Sequence, residues 1–245
     1  MPRLLNNIND IDPTQDVLVY THLGLGDILA NFAINKTVLN TTSGKVYLPV
    51  KSRYLESMLH LYNDENRAIV FEVNNENYAA EQQDVYNIIN NYNLDHFIIG
   101  FGAVKQPFHY VQFYEQIGIE YSQCWKLFPK LKSTQQSKEL YKELISDKKD
   151  YIIVVDTNSW GTYDLKIECN LPIIKTFITD KGTGIFDWFD IVKNAKEIHT
   201  VGTAFFHLAD HIKKYNNDVK LFFHNCRKDF DTVDKQHNWI KVDYE

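Results

Sequence analysis

The sequence predicts an α/β chain built from two parallel-sheet lobes. Three observations carry this: short β-branched runs alternate with helical apolar stripes from Val17 to Ile99, the alternation breaks between Phe101 and Lys149, and it resumes at Tyr151. Such alternation places helices on both faces of a mostly parallel sheet. The break sets the lobes at 1–128 and 129–245.

In the first lobe, Val17 to Tyr20 reads as a strand that runs into the glycine turn His22-Leu23-Gly24-Leu25-Gly26-Asp27. Ile28, Leu29, Phe32, Ile34 and Leu39 then fall largely at helical spacing. Lys45 to Val50 is the next strand, Ser52 to Tyr62 a helix and Ala68 to Val73 a third strand, followed by a helix over Glu81 to Tyr92 and a strand over His96 to Ile99. Pro107 and Pro129 interrupt the irregular middle, and Gln135 to Ser146 reads as a charged helix. Its lysines alternate with acids, the pattern of a solvated face.

The second lobe opens with Tyr151 to Val155, a continuous apolar run suited to a strand covered on both faces. Pro172 to Ile178 is the next strand, and the turn Asp180-Lys181-Gly182-Thr183-Gly184 leads into a helix with Ile185, Trp188, Phe189 and Val192 inward. Glu197 to Val201 is a strand, Thr203 caps the helix carrying Phe205, Leu208, Ala209 and Ile212, and Val219 to Phe223 and Trp239 to Val242 complete the sheet. No internal repeat or low-complexity segment is visible.

Composition excludes several classes. The chain of 245 residues has 44% apolar residues, enough to bury a large core, and a net charge of −6 that argues against coating nucleic acid. No apolar stretch reaches the roughly 18 residues of a membrane span, and Met1 to Asp16 has no signal core. Cys124, Cys169 and Cys226 are scattered and odd in number, so neither a disulfide framework nor a zinc site is expected, and the cytoplasm is the expected compartment.

Four motifs are candidates for chemistry. Ligands of parallel sheets bind beyond the carboxyl ends of the strands, where helix N-termini offer N–H groups. The Gly24 to Asp27 turn lies at such a place, and the competing reading is a tight turn whose Asp27 only caps the helix. As a dinucleotide fingerprint it lacks the expected acid after the second strand, which ends Pro49-Val50-Lys51, although Lys51 or Arg53 could face a phosphorylated ribose. An NADP-linked oxidoreductase is therefore a third-ranked reading.

The segment Glu197-Ile198-His199-Thr200-Val201-Gly202-Thr203 leads into a helix N-terminus that suits a diphosphate; alternatively Thr203 is an ordinary cap and His199 a satisfied strand residue. The loop Asp156-Thr157-Asn158-Ser159-Trp160-Gly161 offers hydrogen bonds for phosphate and an indole to cover a ring, or is a plain surface turn. His207 and His211 have zinc spacing, yet the metalloprotease glutamate is missing and a solvated face is expected. Two Asp-x-Asp triplets, Asp10-Ile11-Asp12 and Asp229-Phe230-Asp231, are poorly placed to hold a metal-bound nucleotide.

Taken together, Thr21-His22-Leu23-Gly24-Leu25-Gly26-Asp27-Ile28-Leu29-Ala30-Asn31, the aromatic stretch Pro107 to Gly118 and Lys193 to Phe206 resemble the GT-B glycosyltransferases, in particular the heptosyltransferase-like group. The resemblance implies two Rossmann-like lobes facing a central cleft, in a compact version of that fold. It implies a metal-independent, cofactor-free transfer of a sugar from a nucleoside diphosphate donor to a hydroxyl of a glycan or glycoconjugate. It makes Asp27 the catalytic base, with His22, Gly24 and Gly26 on the acceptor side. Asp156, Ser159, Trp160, Glu197, His199, Gly202 and Thr203 are then donor-side residues, although Val201-Gly202-Thr203 departs from the Asp-Ser-Ser type found in relatives. A non-catalytic sugar-nucleotide or glycan-binding protein is the second reading.

Overall fold

A computed structural model describes residues 1–74, 76–101, 109–146, 149–177, 183–226 and 235–244. The chain divides into two compact units, Met1–Pro129 and Lys130–Glu245. Of the segments singled out in the sequence, Asp180-Lys181-Gly182, the Asp229-Phe230-Asp231 triplet and Pro107-Phe108 lie outside the described residues.

The first unit runs β1 (Val17–Tyr20), α1 (Leu25–Thr41), β2 (Val46–Lys51), α2 (Leu55–Leu61), β3 (Ala68–Val73), α3 (Tyr78–Tyr92), β4 (Asp95–Ile98), α4 (His109–Glu115) and α5 (Gln123–Leu127). Its four strands are parallel in the order β3-β2-β1-β4. Every residue of β1 is buried, as a central strand with a helix layer requires. Against it α1 buries Leu29, Ile34, Val38 and Leu39, each worth about 1.5–3 kcal/mol of transfer free energy. The Tyr114 hydroxyl donates to the Ala30 carbonyl at 2.6 Å, and Phe32 meets Phe128 edge to face.

Two details shape the borders of this sheet. Pairing of β1 with β2 covers Val17↔Val46 and Leu18↔Tyr47, and Pro49, which has no N–H to give, sits just beyond it. At the other side Leu4 forms a parallel bridge with His96, Leu5 N–H donates to His96 O at 2.8 Å and His96 N–H donates to Arg3 O at 2.9 Å. Arg3 Nε also donates to Asp95 Oδ2 at 3.0 Å, fastening this segment along β4.

The second unit contains α6 (Gln135–Ile145), β5 (Ile152–Val155), the hairpin strands β6 (Thr157–Asn158) and β7 (Gly161–Thr162), β8 (Ile173–Lys175), α7 (Phe189–Asn194), β9 (Glu197–Thr200), α8 (Ala204–Ile212), β10 (Lys220–Asn225) and β11 (Ile240–Asp243). Its five-stranded parallel sheet has the order β11-β10-β9-β5-β8. Trp188 is fully buried and donates Nε1–H to Phe177 O at 2.9 Å. Ser137 Oγ donates to Asp190 at 2.7 Å and accepts from the Asp190 amide at 3.1 Å, tying α6 to α7.

The helix expected over Ser52 to Tyr62 is a 3-10 turn, Ser52–Tyr54, followed by α2, and the one expected after Gly184 opens as a 3-10 turn, Ile185–Trp188, before α7. A larger correction concerns α8. His207 and His211, expected on a solvated face, are 5% and 3% exposed, and Asp210 is wholly buried. The cause is a second layer: Asp210 accepts from the amides of Gln236 and His237 at 2.9 and 3.2 Å and from Trp239 Nε1 at 2.9 Å, so the segment before β11 covers the polar face of the helix.

Candidate functional site

In the first unit β1 and β4 are neighbours where the strand order reverses, and ligands of parallel sheets bind beyond the carboxyl ends of such a pair. His22 follows β1 and Gly100 follows β4; His22 Nε2 lies 3.0 Å from Gly100 O, and its ring stacks on Phe101 at 4.5 Å. The backbone at Gly100 has φ +90°, and a Cβ there would come within 2.5 Å of Phe113 and 2.8 Å of the His22 ring. Only glycine permits this contact.

Asp27 occupies the third helical position of α1, with Gly24 as N-cap. Its carboxylate folds back over the helix start, where the amides of Asp27 and Gly24 hydrogen-bond to it. A Cβ on Gly24 would stand 2.5 Å from Asp27 Oδ2, so the cap glycine leaves room for the acid. Desolvation raises the Asp27 pKa to about 6, against the opposing pull of His22, those amides and Lys51. The acid therefore both caps the helix and stands as a carboxyl group titrating close to neutrality, the property a general base needs. Gly26 lies between them in the first turn of α1.

The cations weighed for a ribose phosphate are engaged elsewhere. Lys51 Nζ lies 3.2 Å from Glu81 Oε2, and the Tyr20 hydroxyl donates to the other Glu81 oxygen at 2.7 Å. Arg53 lies over the Tyr54 ring at 4.7 Å.

In the second unit the strand order reverses between β5 and β9. Beyond their carboxyl ends lies a small pocket lined by Asn158, Tyr163, Val201, Gly202, His224 and their neighbours. The β6-β7 hairpin stands over this edge: Asn158 Oδ1 accepts from the Trp160 amide at 2.9 Å, and Asn158 Nδ2 donates to Gly202 O at 3.5 Å. Ser159 and Trp160 form the exposed tip. Thr203 caps α8, its hydroxyl accepting from Phe205 N–H at 3.1 Å.

The remaining donor-side candidates are placed differently. Asp156 binds Lys175 at 2.6 Å; burial opposes its ionisation, but Lys175 and the Thr157 hydroxyl outweigh that and hold its pKa below the usual carboxylate value. Glu197 begins β9, at the amino end of the sheet, and His199 has both ring nitrogens occupied, by Glu197 and His224. The structure thus gathers His22, Gly24 and Asp27 in one place and Asn158, Gly202 and Thr203 in another, with Glu197 and His199 deeper in the sheet.

Sequence reasoning missed Gly100, Phe101 and Phe113 around His22, and His224 in the pocket. The first group is joined across more than seventy positions and leaves no local pattern. For His224 a signal existed: a polar ring inside the apolar strand Leu221-Phe222-Phe223 must find partners when buried. Among the described residues no group of three histidine, cysteine or acidic side chains could hold a metal ion, and no helix is long and apolar enough to cross a membrane.

No family model and no curated protein matches the sequence. Several solved structures are similar in fold, among them the following two. A glycosyl transferase family 9 protein from Veillonella parvula aligns with TM-score 0.56 and 9% identity, over 96% of this chain and 87% of its own. The ADP-heptose lps heptosyltransferase II of E. coli aligns with TM-score 0.54 and 11% identity, over 93% of this chain and 90% of its own. The two parallel sheets and these alignments together show that the chain has the α/β fold of the GT-B glycosyltransferases.

Proposed function

We propose that this chain is a glycosyltransferase that moves a sugar from a nucleoside diphosphate donor to a hydroxyl of a glycan or glycoconjugate. The observation that carries the reading is Asp27: a half-buried carboxyl with its pKa near 6, braced on the first turn of α1 at the carboxyl edge of a parallel sheet. In that position it takes the proton of an acceptor hydroxyl as the hydroxyl attacks the anomeric carbon. His22, held by Gly100, lines the acceptor side. In the second unit the backbone of Gly202, Thr203 and the first turn of α8 receives the diphosphate, whose charge grows as the bond to the sugar breaks. Base and anion cradle are both supplied by protein groups, so the reaction is written without a metal or cofactor. Cys124, Cys169 and Cys226 are free thiols, which suits a cytoplasmic enzyme.

The test is transfer measured with nucleotide sugars on an acceptor panel, beside a thermal-shift titration with the same donors. Asp27→Asn should lower the transfer rate on the order of 10²–10⁴-fold while leaving the donor-induced shift in place. Full transfer by the variant would remove Asp27 from the mechanism. A donor-induced shift without turnover in the unmodified protein would favour a non-catalytic sugar-nucleotide binder.

A further inference from the structure

Four side chains of the second unit form a single hydrogen-bonded row whose third member, His224, lines the pocket beside Gly202. Glu197 Oε2 lies 3.2 Å from His199 Nε2, His199 Nδ1 lies 3.0 Å from His224 Nε2, and His224 Nδ1 lies 2.7 Å from the Tyr244 hydroxyl. That hydroxyl accepts the Lys166 amide at 2.7 Å. The row crosses β9, β10 and the end of β11, and its two imidazoles are 3% and 1% exposed. Phe222 stacks on the His199 ring at 4.4 Å and 5°, fixing its plane.

The partners dictate where every proton sits. An ionised Glu197 can only accept, so His199 carries its hydrogen on Nε2 and presents a bare Nδ1. His224 must then donate from Nε2, which leaves its Nδ1 to accept from Tyr244. The Tyr244 oxygen in turn takes the Lys166 amide. All donors point toward Glu197, whose other oxygen lies 3.4 Å from Lys220 Nζ.

One extra proton fits this row without setting two N–H groups head to head. Placed on His224 Nδ1, it turns that bond around: the imidazolium donates to the Tyr244 oxygen, and the hydroxyl hydrogen rotates away. Nothing else changes: the added charge stays on His224, and the Glu197 carboxylate steadies it through the bond polarised by His199. Among the described residues, the charged or titratable groups around His224 are His199 from β9, Tyr244 beyond β11 and Cys226 just past its own strand. Behind them stand Glu197, Lys220, Asp164 and Lys166, whose Nζ lies 4.9 Å over the Tyr244 ring.

We propose that His224 is a switched cation of the donor pocket: an anionic group entering beside Gly202 draws one proton from solvent onto His224, and Tyr244 turns over to receive the new N–H. This rests on the reading of that pocket as the diphosphate site and adds a binding residue to it. Burial and the neighbouring His199 depress the His224 pKa to about 4 when the pocket is empty, so the His224 ring begins neutral at pH 7. A fixed lysine would need a permanent counter-charge in this buried place, whereas the row supplies charge when the ligand brings its own.

Calorimetric titration of the full chain with UDP-glucose, ADP-glucose and GDP-mannose at pH 7.5, in two buffers of different ionisation heat, tests this. The diphosphate diesters do not titrate at that pH, so any proton exchanged belongs to the protein. We expect net proton uptake on binding that grows as the pH is lowered from 7.5, and conversion of His224 from the Nε2–H tautomer to imidazolium in ¹⁵N spectra. His224→Gln should abolish the uptake and weaken binding roughly tenfold or more; Tyr244→Phe, which keeps the packing, should reduce the uptake. Binding without proton uptake, or uptake that survives His224→Gln, overturns the switch and leaves the donor reading standing. Absence of binding by all three nucleotide sugars overturns the donor reading and the switch with it.

Discussion

His22 Nε2 lies 3.0 Å from the carbonyl oxygen of Gly100, so one imidazole joins the ends of β1 and β4 where the first sheet opens. Gly100→Ala tests how much the edge depends on that contact. The substituent would face φ +90° and meet Phe113 and His22 at 2.5 and 2.8 Å. The expected cost is about 1–3 kcal/mol in urea denaturation, together with loss of transfer.

Gly24→Ala separates placement from stability. The Gly24 backbone, at φ −71° and ψ 150°, suits any residue, but the new Cβ would lie 2.5 Å from Asp27 Oδ2. Stability should fall by less than about 1 kcal/mol, while kcat drops on the order of 10²-fold as the carboxylate is displaced. A variant with normal kcat would show that the position of Asp27 is not critical.

The ionisation of Asp27 sets a pH dependence. In the proposed role of base it must be charged, so the transfer rate should rise with pH through a midpoint near the folded value of about 6. The stability effect has the opposite sign. The folded protein holds this proton more tightly than the unfolded chain, so Asp27 costs stability as pH rises from about 4 through about 6. Asp27→Asn should therefore melt no lower than the parent at pH 8.

His224 acts in the reverse sense on its own unit. Its pKa is depressed in the fold, from 6.5 to about 4, so the contribution is intact above pH 6.5 and is lost as pH falls toward 4. Melting temperatures measured from pH 7 to 4.5 should decline less steeply in His224→Gln than in the parent chain.

Asp210→Ala should be among the most damaging changes outside the sites. It strands the Gln236 and His237 amides and the Trp239 indole N–H, at a cost of roughly 2–4 kcal/mol. Release of the segment before β11 should shift Trp239 fluorescence to the red.

Much of the architecture was legible in the sequence because periodicity reports burial directly. Val17 to Tyr20 and the stripe through Phe205, Leu208 and Ile212 lie where an apolar strand and a helix face require them, and Thr203 caps its helix as its position implies. The polar side of α8 misled because spacing shows which residues share a face and not what covers it; Gln236 to Trp239 lie more than twenty positions away. The same limit hid the His199–His224 contact, which depends on the pairing of β9 with β10 at Phe222↔His199. The turn at Asp27 was legible in the sequence and the character of its carboxyl was not: the raised pKa depends on surrounding packing that no spacing encodes.

The segment Arg3 to Leu5, fastened along β4 by backbone bonds to His96 and by Asp95, has a consequence for the molecule in crowded solution. An uncovered parallel sheet offers its outermost strand as a template on which a neighbouring chain can continue the ladder. Here that ladder is already occupied by a few residues of the same polypeptide. Removing them would turn a closed border into an adhesive one, and the first sign should be concentration-dependent self-association rather than loss of fold.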